Sequence, residues 1–341
     1  MESVSSSLGS ASYAVMTPWT PGAHAGGAAI AIIQLMADPP ADLDLALQRI
    51  GLGQVPVGSV ALRDLCAIDR GLVIRWDERT VQLTPHGGAF VVRRLLESLS
   101  AAGLATTAVV ASDPQKSYPE SRGVVEACML DALARAPSPM AVDVLLRQPG
   151  VWRMCSGQTD PILDRVLNRL LVPPTVVAVG RPNVGKSTLV NALARRQVAI
   201  VSPQAGTTRD HVGVTLDLDG LAVRWVDTPG IRAEGEPHDE LEAAAAHLAS
   251  NIIAGADLVV LCADWQHDFI SPDTLGLAPG PLLVRCATRS DLGPPAGQVD
   301  VATAASRGEG LSDLARLIRR WLVPDEAANS PSPWRFHAGL P

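Results

Sequence analysis

The stretch VGRPNVGKST at residues 179–188 constrains the fold of this chain more than any other feature. It matches the pattern G-x-x-x-x-G-K-[ST], with Gly180 and Gly185 at its two glycine positions. The apolar segment TVVAV precedes it as a predicted buried strand, and STLVNALARR follows as a predicted helix. Glycines let the backbone curl until successive N–H groups and the helix N-terminus face an anion. The pattern therefore predicts a phosphate-binding loop in a parallel α/β sheet.

The chemistry around this loop can be assigned residue by residue. Lys186 is placed to reach the β- and γ-phosphate oxygens, and the Ser187 hydroxyl to bind Mg²⁺. Asp227 ends the apolar strand in VRWVDTPG, where it would hold the Mg²⁺ shell, and the Gly230 N–H would lie near the γ-phosphate. Alternatively, Asp227 has only a structural role, in a turn before Pro-Gly. The predicted loop contacts to the nucleotide are Gly180, Asn183, Val184, Gly185, Lys186, Ser187 and Thr188.

A second motif, in LLVRCATRSDL, predicts which base is read. In the guanine-specific pattern, usually N-K-x-D, the aspartate accepts hydrogen bonds from guanine N1–H and the exocyclic amine. Asp291 is that residue here, while Thr288 replaces the usual Asn and Arg289 replaces the Lys. Arg289 can still lay its planar guanidinium against a purine. Further along, Ala304, Ala305 and Ser306 are placed to offer backbone N–H groups to guanine O6.

Breaks rich in Gly and Pro divide the chain into four predicted regions. Residues 1–112 read as a small α+β domain, residues 113–172 as a helical segment, residues 173–323 as the phosphate-loop domain, and residues 324–341 as a flexible tail rich in Pro and Ser. Within the first region, Phe90, Val91, Leu95 and Leu99 fall near one helical face. Within the second, Asp160 is placed to cap a helix that Pro161 opens.

Charge and cysteine usage exclude several classes of function. A formal net charge of −7 argues against a general nucleic-acid coat, and no DNA partner is expected. The five cysteines are widely spaced and include no C-x-x-C pair, which is typical of a reducing cytoplasm. The longest apolar run falls short of the ~20 residues that span a bilayer, so no membrane partner is expected. We expect a cytoplasmic protein.

With these residues assembled, the chain resembles the bacterial tRNA-modification GTPases (MnmE, also called TrmE), within the TrmE–Era–Der group. The segment AIVSPQAGTTRD resembles the family's switch I, and PHGGAFVVRRLLESLSAAG resembles its H-G-G turn and following helix. YAVMTPWTPGAHAGGAAIAIIQL resembles the family's opening strand and glycine turn. The resemblance implies a Ras-like P-loop GTPase domain preceded by a small TrmE-N-like α+β domain and a short helical segment, an enzyme that hydrolyses GTP to GDP and phosphate.

The resemblance also implies site residues that the motifs alone do not give. Thr207 and Thr208 lie in the switch I stretch, with Thr208 as the Mg²⁺-sensing threonine. Asn183 matches the loop asparagine that binds K⁺ together with carbonyls around 204–206; alternatively, Asn183 only tolerates an unusual backbone angle. Glu242 matches the catalytic, water-orienting position, although the acids Asp239, Glu240 and Glu242 can equally favour the first turn of a helix.

Departures from the family pattern bear on its biology. Gln34 stands where the family has an arginine, and the segment that follows the family's first domain is not recognisable; both put the folate site in doubt. The chain ends WRFHAGLP rather than in C-[ILV]-G-K, and no cysteine follows Cys286. The sequence thus leaves two functions open, a GTPase of tRNA wobble-uridine modification or a GTP-dependent switch without that chemistry, for example in ribosome assembly. The expected partners are tRNA or the ribosome, and a second copy through the N-terminal domain.

Overall fold

The computed structural model describes residues 10–17, 29–107, 113–155, 158–196, 213–228, 252–275, 281–293 and 297–341. The chain divides into two units, residues 1–131 and 132–341. The division falls inside the helix Val124–Leu133, and the boundaries that the sequence predicts are 112 and 172. Among the described helices, none combines the length and apolar character that crossing a bilayer requires.

The first unit is a six-stranded sheet with helices, in the order β3-β4-β5-β2-β1-β6. Every pairing is antiparallel except that of β1 with β6. Its elements are β1 (Ala11–Val15), β2 (Ile33–Ala37), α1 (Pro40–Arg49), β3 (Val60–Leu65), β4 (Asp69–Arg75), β5 (Thr80–Thr84), α2 (Ala89–Ala101), β6 (Ala105–Thr106), α3 (Pro114–Ser117) and α4 (Val124–Leu133).

One face of this sheet packs against α1 and α2 to form the core of the first unit. The core side chains are aliphatic and include Ile33, Leu35, Leu47, Leu83 and Leu99. The inward face of α2 is Val92, Leu95 and Leu99. Phe90 is 64% exposed, contrary to the predicted face. At about 100° per residue, Phe90 lies roughly 140° around the helix from Leu95, so it falls outside the face that Val92, Leu95 and Leu99 bury.

The second unit contains the phosphate loop in a sheet of order β12-β11-β10-β7-β9-β8. All its pairings are parallel except that of β8 with β9. Its elements are α5 (Pro139–Met154), α6 (Pro161–Leu167), β7 (Thr175–Gly180), α7 (Lys186–Arg196), β8 (Gly213–Leu218), β9 (Leu221–Asp227), β10 (Leu258–Ala263), β11 (Leu282–Ala287), β12 (Val301–Ala302), α8 (Leu311–Leu322) and α9 (Asp325–Ala328), with short 3₁₀ turns at Asn168–Leu170 and Asp273–Leu275.

Local sequence signals explain one turn and one helix start in the second unit. The β8–β9 hairpin turns at Asp219 and Gly220, both with positive φ, as two-residue hairpin turns require. The Asp160 carboxylate accepts a hydrogen bond from the Ile162 N–H, and Pro161 opens α6.

The C-terminal segment differs from the flexible tail that its composition predicts. Its aromatic residues are buried, with Trp334 at 0% and Phe336 at 5% exposure. The Trp334 indole N–H donates to Asn168 Oδ1 over 3.0 Å, and the Trp334 backbone N–H donates to Gln148 Oε1 over 3.1 Å. The segment therefore packs on α5 and on the 3₁₀ turn after α6. Pro and Ser favour irregular backbone, but irregular backbone can still be anchored by large apolar side chains.

Candidate nucleotide-binding site

The phosphate loop lies at the carboxyl end of β7, a central strand of the sheet between β10 and β9. Its first glycine is needed for packing, since a β-carbon at Gly180 would lie 2.4 Å from the Cys262 carbonyl oxygen. Its second glycine, Gly185, has φ +97°, a conformation that side chains disfavour. The loop therefore needs glycine at both positions, and α7 begins directly after it, at Lys186.

Lys186 is held across this loop. Its Nζ donates to the carbonyl oxygens of Gly180, at 3.0 Å, and Arg181, at 2.9 Å. The side chain is buried, and burial lowers the pKa of Lys186, an effect that Cys262 and Asp227 oppose. These contacts keep the ammonium inside the ring of backbone that a phosphate group would face.

Ser187 and Asp227, the predicted Mg²⁺ pair, are in direct contact. The Ser187 hydroxyl donates to Asp227 Oδ2 over 2.7 Å, which joins the start of α7 to the end of β9. The other carboxylate oxygen, Asp227 Oδ1, is buried and has no hydrogen-bond partner among the described residues. A buried carboxylate oxygen without a donor is costly, and a hard cation or its water shell would satisfy it. The hydroxyl, the carboxylate and the orphaned oxygen therefore fit Mg²⁺.

Asn183 lies at the exposed crest of the loop with φ +64°. Asparagine is among the few residues with a side chain that adopt this left-handed region readily. The backbone thus explains the residue type at this position without a ligand. The carbonyls around 204–206, which would complete a potassium cage, lie outside the described residues.

Most of the residues predicted to read the base line a cavity of about 220 Å³ beside the phosphate loop. The structure brings together three segments that are far apart in sequence: the phosphate loop, the T-R-x-D motif and the 305–306 stretch. Asp291 is largely buried, and Arg307 Nε lies 3.5 Å from its Oδ2. The residues lining the cavity are Gly185, Thr188, Thr288, Arg289, Asp291, Leu292, Ala305 and Ser306.

Thr288 joins the phosphate loop to residues 288–293, the loop that is predicted to read the base and is called the base-reading loop below. Its hydroxyl lies against the carbonyl oxygens of Val184 and Ala263, the latter at 2.9 Å, and its side chain is buried. Threonine at this position therefore links the two loops through its single hydroxyl. Arg289 continues the same wall of the cavity, since a β-carbon at Gly185 would lie 3.8 Å from its Cγ.

Ala304 does not take the predicted part in base recognition. Its N–H donates to the Glu309 carbonyl oxygen over 3.1 Å, and the residue is 0% exposed. A turn that closes on itself in this way uses the N–H internally. Ala305 and Ser306 are the members of that stretch that line the cavity.

Several predicted site residues lie outside the described residues. They are Thr207, Thr208, Gly230 and Glu242, together with Asp239 and Glu240, the other acids of the switch II stretch. Their roles stay predictions. Among the residues that the structure describes, no group of three or more His, Cys, Asp or Glu side chains could hold a metal ion.

Two charged residues beside the cavity are missed by the sequence motifs. Asp264 follows β10 and its side chain is 0% exposed, and Arg307 pairs with Asp291. A signal for Asp264 exists, because an aspartate that ends an apolar strand of a parallel sheet lies at the edge where ligands bind. Nothing in the sequence around Arg307 indicates its partner.

Comparison with known proteins identifies the domain that carries this site. A family model described as "50S ribosome-binding GTPase" matches residues 175–278. The tRNA modification GTPase MnmE of Acidiphilium cryptum is 45% identical over 144 residues, which cover 42% of this chain and 32% of that protein. The MnmE of Bradyrhizobium sp. (strain ORS 278) is 49% identical over 177 residues, 52% of this chain and 36% of that protein. The segment that carries this site is similar to the GTPase part of MnmE proteins.

The match with MnmE proteins is partial in length, since it spans about a third of each of these relatives. Among solved structures, Era of Aquifex aeolicus bound to GDP and AlF₄⁻ aligns with 44% of this chain and 56% of its own, at 26% identity and a TM-score of 0.31. The matched family model covers the phosphate loop and both residues of the Ser187–Asp227 pair.

Proposed function

We propose that this MnmE-type GTPase binds GTP with its base in the cavity beside Asp291 and hydrolyses it to GDP and phosphate. The observation that carries the proposal is the contact of Ser187 with Asp227 at the start of α7, next in sequence to Lys186, which is bonded to the phosphate loop. Mg²⁺ bound by these two oxygens would neutralise charge on the β- and γ-phosphates. Lys186 would hold the same oxygens from the loop side, where its buried ammonium acts as a fixed charge.

Base identity would be read by Asp291. Its carboxylate lines the cavity and can accept from both N1–H and the amine of guanine, which adenine cannot donate in that arrangement. Backbone N–H groups of Ala305 and Ser306 would complete the recognition at O6. Thr208 and Glu242 are proposed, from the family resemblance, to sense Mg²⁺ and to orient the attacking water.

A potassium ion is proposed as a further activator. The Asn183 side chain is exposed at the crest of the loop and offers an oxygen donor beside the expected β–γ bridge. A cation at that point would stabilise the charge that develops in the transition state.

For the biological role, the relatives favour tRNA modification, since the matching proteins are named tRNA modification GTPases. We propose a role in the same process, with tRNA as the partner and the cytoplasm as the compartment. A GTP-dependent switch without modification chemistry is the second candidate, and a specific observation in the first unit favours it.

That observation is the burial of Gln34, which stands where the family has an arginine. Gln34 is 0% exposed; its Nε2 donates to the Lys116 carbonyl oxygen over 2.7 Å, and its Oε1 accepts from Gln82 Nε2 over 2.8 Å. Trp76 in turn donates to Gln82 Oε1. These polar groups bond to one another, so the Gln34 amide is already engaged within the protein and carries no charge to offer a folate carboxylate.

Hydrolysis is tested with the purified chain, Mg²⁺ and GTP. The chain has two lysines, so Lys116→Ala is a matched control for Lys186→Ala. We expect Lys186→Ala to lose about 10²–10³-fold in kcat, the scale for one lost electrostatic contact, while Lys116→Ala keeps the parental rate. Parental turnover in Lys186→Ala would refute the proposal.

The two biological roles are separated by complementation. The chain is expressed in cells that lack their own MnmE, and the tRNA is digested and analysed by mass spectrometry. Modified wobble uridine at normal levels supports tRNA modification. GTP hydrolysis without any modified uridine supports the switch.

A further inference from the structure

The turn that follows β10 places a buried carboxylate against the base-reading loop. Asp264 Oδ1 accepts from the Gln266 N–H at 3.1 Å and lies 2.7 Å from His267 Nδ1. These contacts fix the carboxylate plane and direct Oδ2 away from the turn. A carboxylate this buried is stable only when its oxygens are bonded or paired with a cation.

The cation that faces Asp264 Oδ2 is Arg289, whose Nη1 lies 3.5 Å away. The Arg289 side chain is 44% exposed, so this contact is the inner anchor of a side chain that otherwise lies in solvent. Arg289 also has φ +51°, a left-handed conformation that is disfavoured for a residue with a β-carbon. Such a backbone persists only when surrounding contacts stabilise it.

The same turn contacts the base-reading loop at a second point. A β-carbon at Gly293 would lie 3.3 Å from Cβ of Trp265, so the two backbones are closely packed there. The turn at residues 264–267 therefore supports both ends of the loop that carries Arg289 and Asp291. Thr288 fixes the start of that loop through its bonds to Val184 and Ala263.

From these contacts we propose that Asp264 is a positioning residue for the nucleotide base. It holds the Arg289 guanidinium beside Gly185, where the planar group packs along the purine ring that Asp291 reads. The inference rests on the proposed binding of guanine nucleotide in this cavity. The two carboxylates then have different roles. Asp291 selects the base by its hydrogen bonds, whereas Asp264 acts through Arg289 and determines how tightly any purine is bound.

The test measures the affinity of GDP and of inosine diphosphate, which lacks the 2-amino group, for the parent and for Asp264→Asn. We expect Asp264→Asn to weaken both nucleotides by the same factor, about 3- to 10-fold, the size expected for a partly exposed arginine contact. The GDP-to-IDP ratio should stay parental, because Asp291 is untouched. A general loosening of the loop would displace Asp291 and change the GDP-to-IDP affinity ratio, as Asp291→Asn must also do.

A double-mutant cycle with Arg289→Met separates positioning from simple stabilisation. If Asp264 acts through Arg289, Asp264→Asn adds no further loss in the Arg289→Met background; additive losses would overturn the proposal. Should Asp264→Asn not fold, Arg289→Lys and Arg289→Met replace it. The lysine of Arg289→Lys can still pair with Asp264, so this variant should bind GDP more tightly than Arg289→Met does. Equal GDP affinity of the two variants would overturn the proposal.

Failure of the inference is distinguishable from failure of the proposed function. Parental GDP affinity in Asp264→Asn would overturn the positioning role alone. An unaltered protein that binds no GDP would overturn the proposed function and this inference together.

Discussion

Trp334 anchors the C-terminal segment, and its removal should destabilise the second unit strongly. The indole is 0% exposed and donates to Asn168 Oδ1 over 3.0 Å. Its backbone carbonyl accepts from the Trp152 indole over 3.2 Å. The ring also packs edge-on against Phe336 with centroids 5.6 Å apart. Trp334→Ala therefore removes a large buried side chain, one hydrogen bond and one aromatic pair.

The size of the loss follows from these contacts. Truncating a buried aromatic residue to alanine costs about 3–5 kcal/mol, a figure that already contains most of the packing with Phe336. We take about 4 kcal/mol as the expected loss in the free energy of unfolding. With a urea m-value of about 2.5 kcal/mol/M, this lowers the unfolding midpoint by roughly 1.5 M.

The assay is urea unfolding followed by far-UV circular dichroism, because the substitution removes a fluorophore. Trp321→Ala is the matched control, since Trp321 is 40% exposed and its truncation should cost about 1 kcal/mol or less. The reasoning is refuted if Trp334→Ala shifts the midpoint no further than Trp321→Ala does, because the C-terminal segment would then contribute little to stability.

Three further predictions concern the loop, the thiols and an acid-sensitive contact. Exchanging Na⁺ for K⁺ should raise the GTPase rate of the parent but not the rate of Asn183→Ala or Asn183→Gly. The glycine variant is the control for backbone strain, because glycine adopts the φ of +64° freely. If Asn183→Gly still responds to K⁺, the asparagine side chain is not a K⁺ ligand. Burial raises the pKa of Cys128 to about 11 and that of Cys286 to about 12. A maleimide at pH 8 should therefore label the partly exposed Cys155 well before either of these thiols. Labelling of all three cysteines at equal rates in the native protein would contradict this. Burial alone would raise the pKa of Asp69, but hydrogen bonds from the side chain and backbone of His86 hold it below its ordinary value. The hydrogen-bonded carboxylate therefore adds to the free energy of unfolding above about pH 4, and this contribution is lost as the pH falls through the lowered pKa. The parent should be more stable than Asp69→Asn at pH 7, and the free energies of unfolding of the two proteins should converge in acid.

The phosphate loop and its sheet are predictable from sequence because their signals are local. A buried strand, two glycines at fixed spacing and a helix start all lie within residues 175–196, and the Asp219-Gly220 turn is equally self-contained. Ser187 and Asp227 could be paired in advance because parallel strands end at one edge of a sheet.

The features that escaped prediction depend on contacts between distant segments. Trp334 is held by Gln148 and Asn168, which lie more than 160 residues earlier in the chain, so the Pro- and Ser-rich composition around it gave no indication of burial. The contact of Asp264 with Arg289 is likewise set by the packing of two loops.

Phe90 is a different case, because its error is local. The prediction groups it with Leu95 and Leu99, but the five-residue step from Phe90 to Leu95 turns about 140° around a helix, so Phe90 lies off their buried face.

The central claim, that Asp291 makes this site specific for guanine, is tested most directly by one titration series. GTP, ATP and xanthosine triphosphate are titrated against the parent and against Asp291→Asn under identical Mg²⁺. The account predicts that the parent binds GTP far more tightly than ATP, and that Asp291→Asn weakens GTP while favouring xanthosine triphosphate, because an amide can donate to the xanthine oxygen where the carboxylate accepted from the guanine amine. Equal affinity of the parent for GTP and ATP would contradict it.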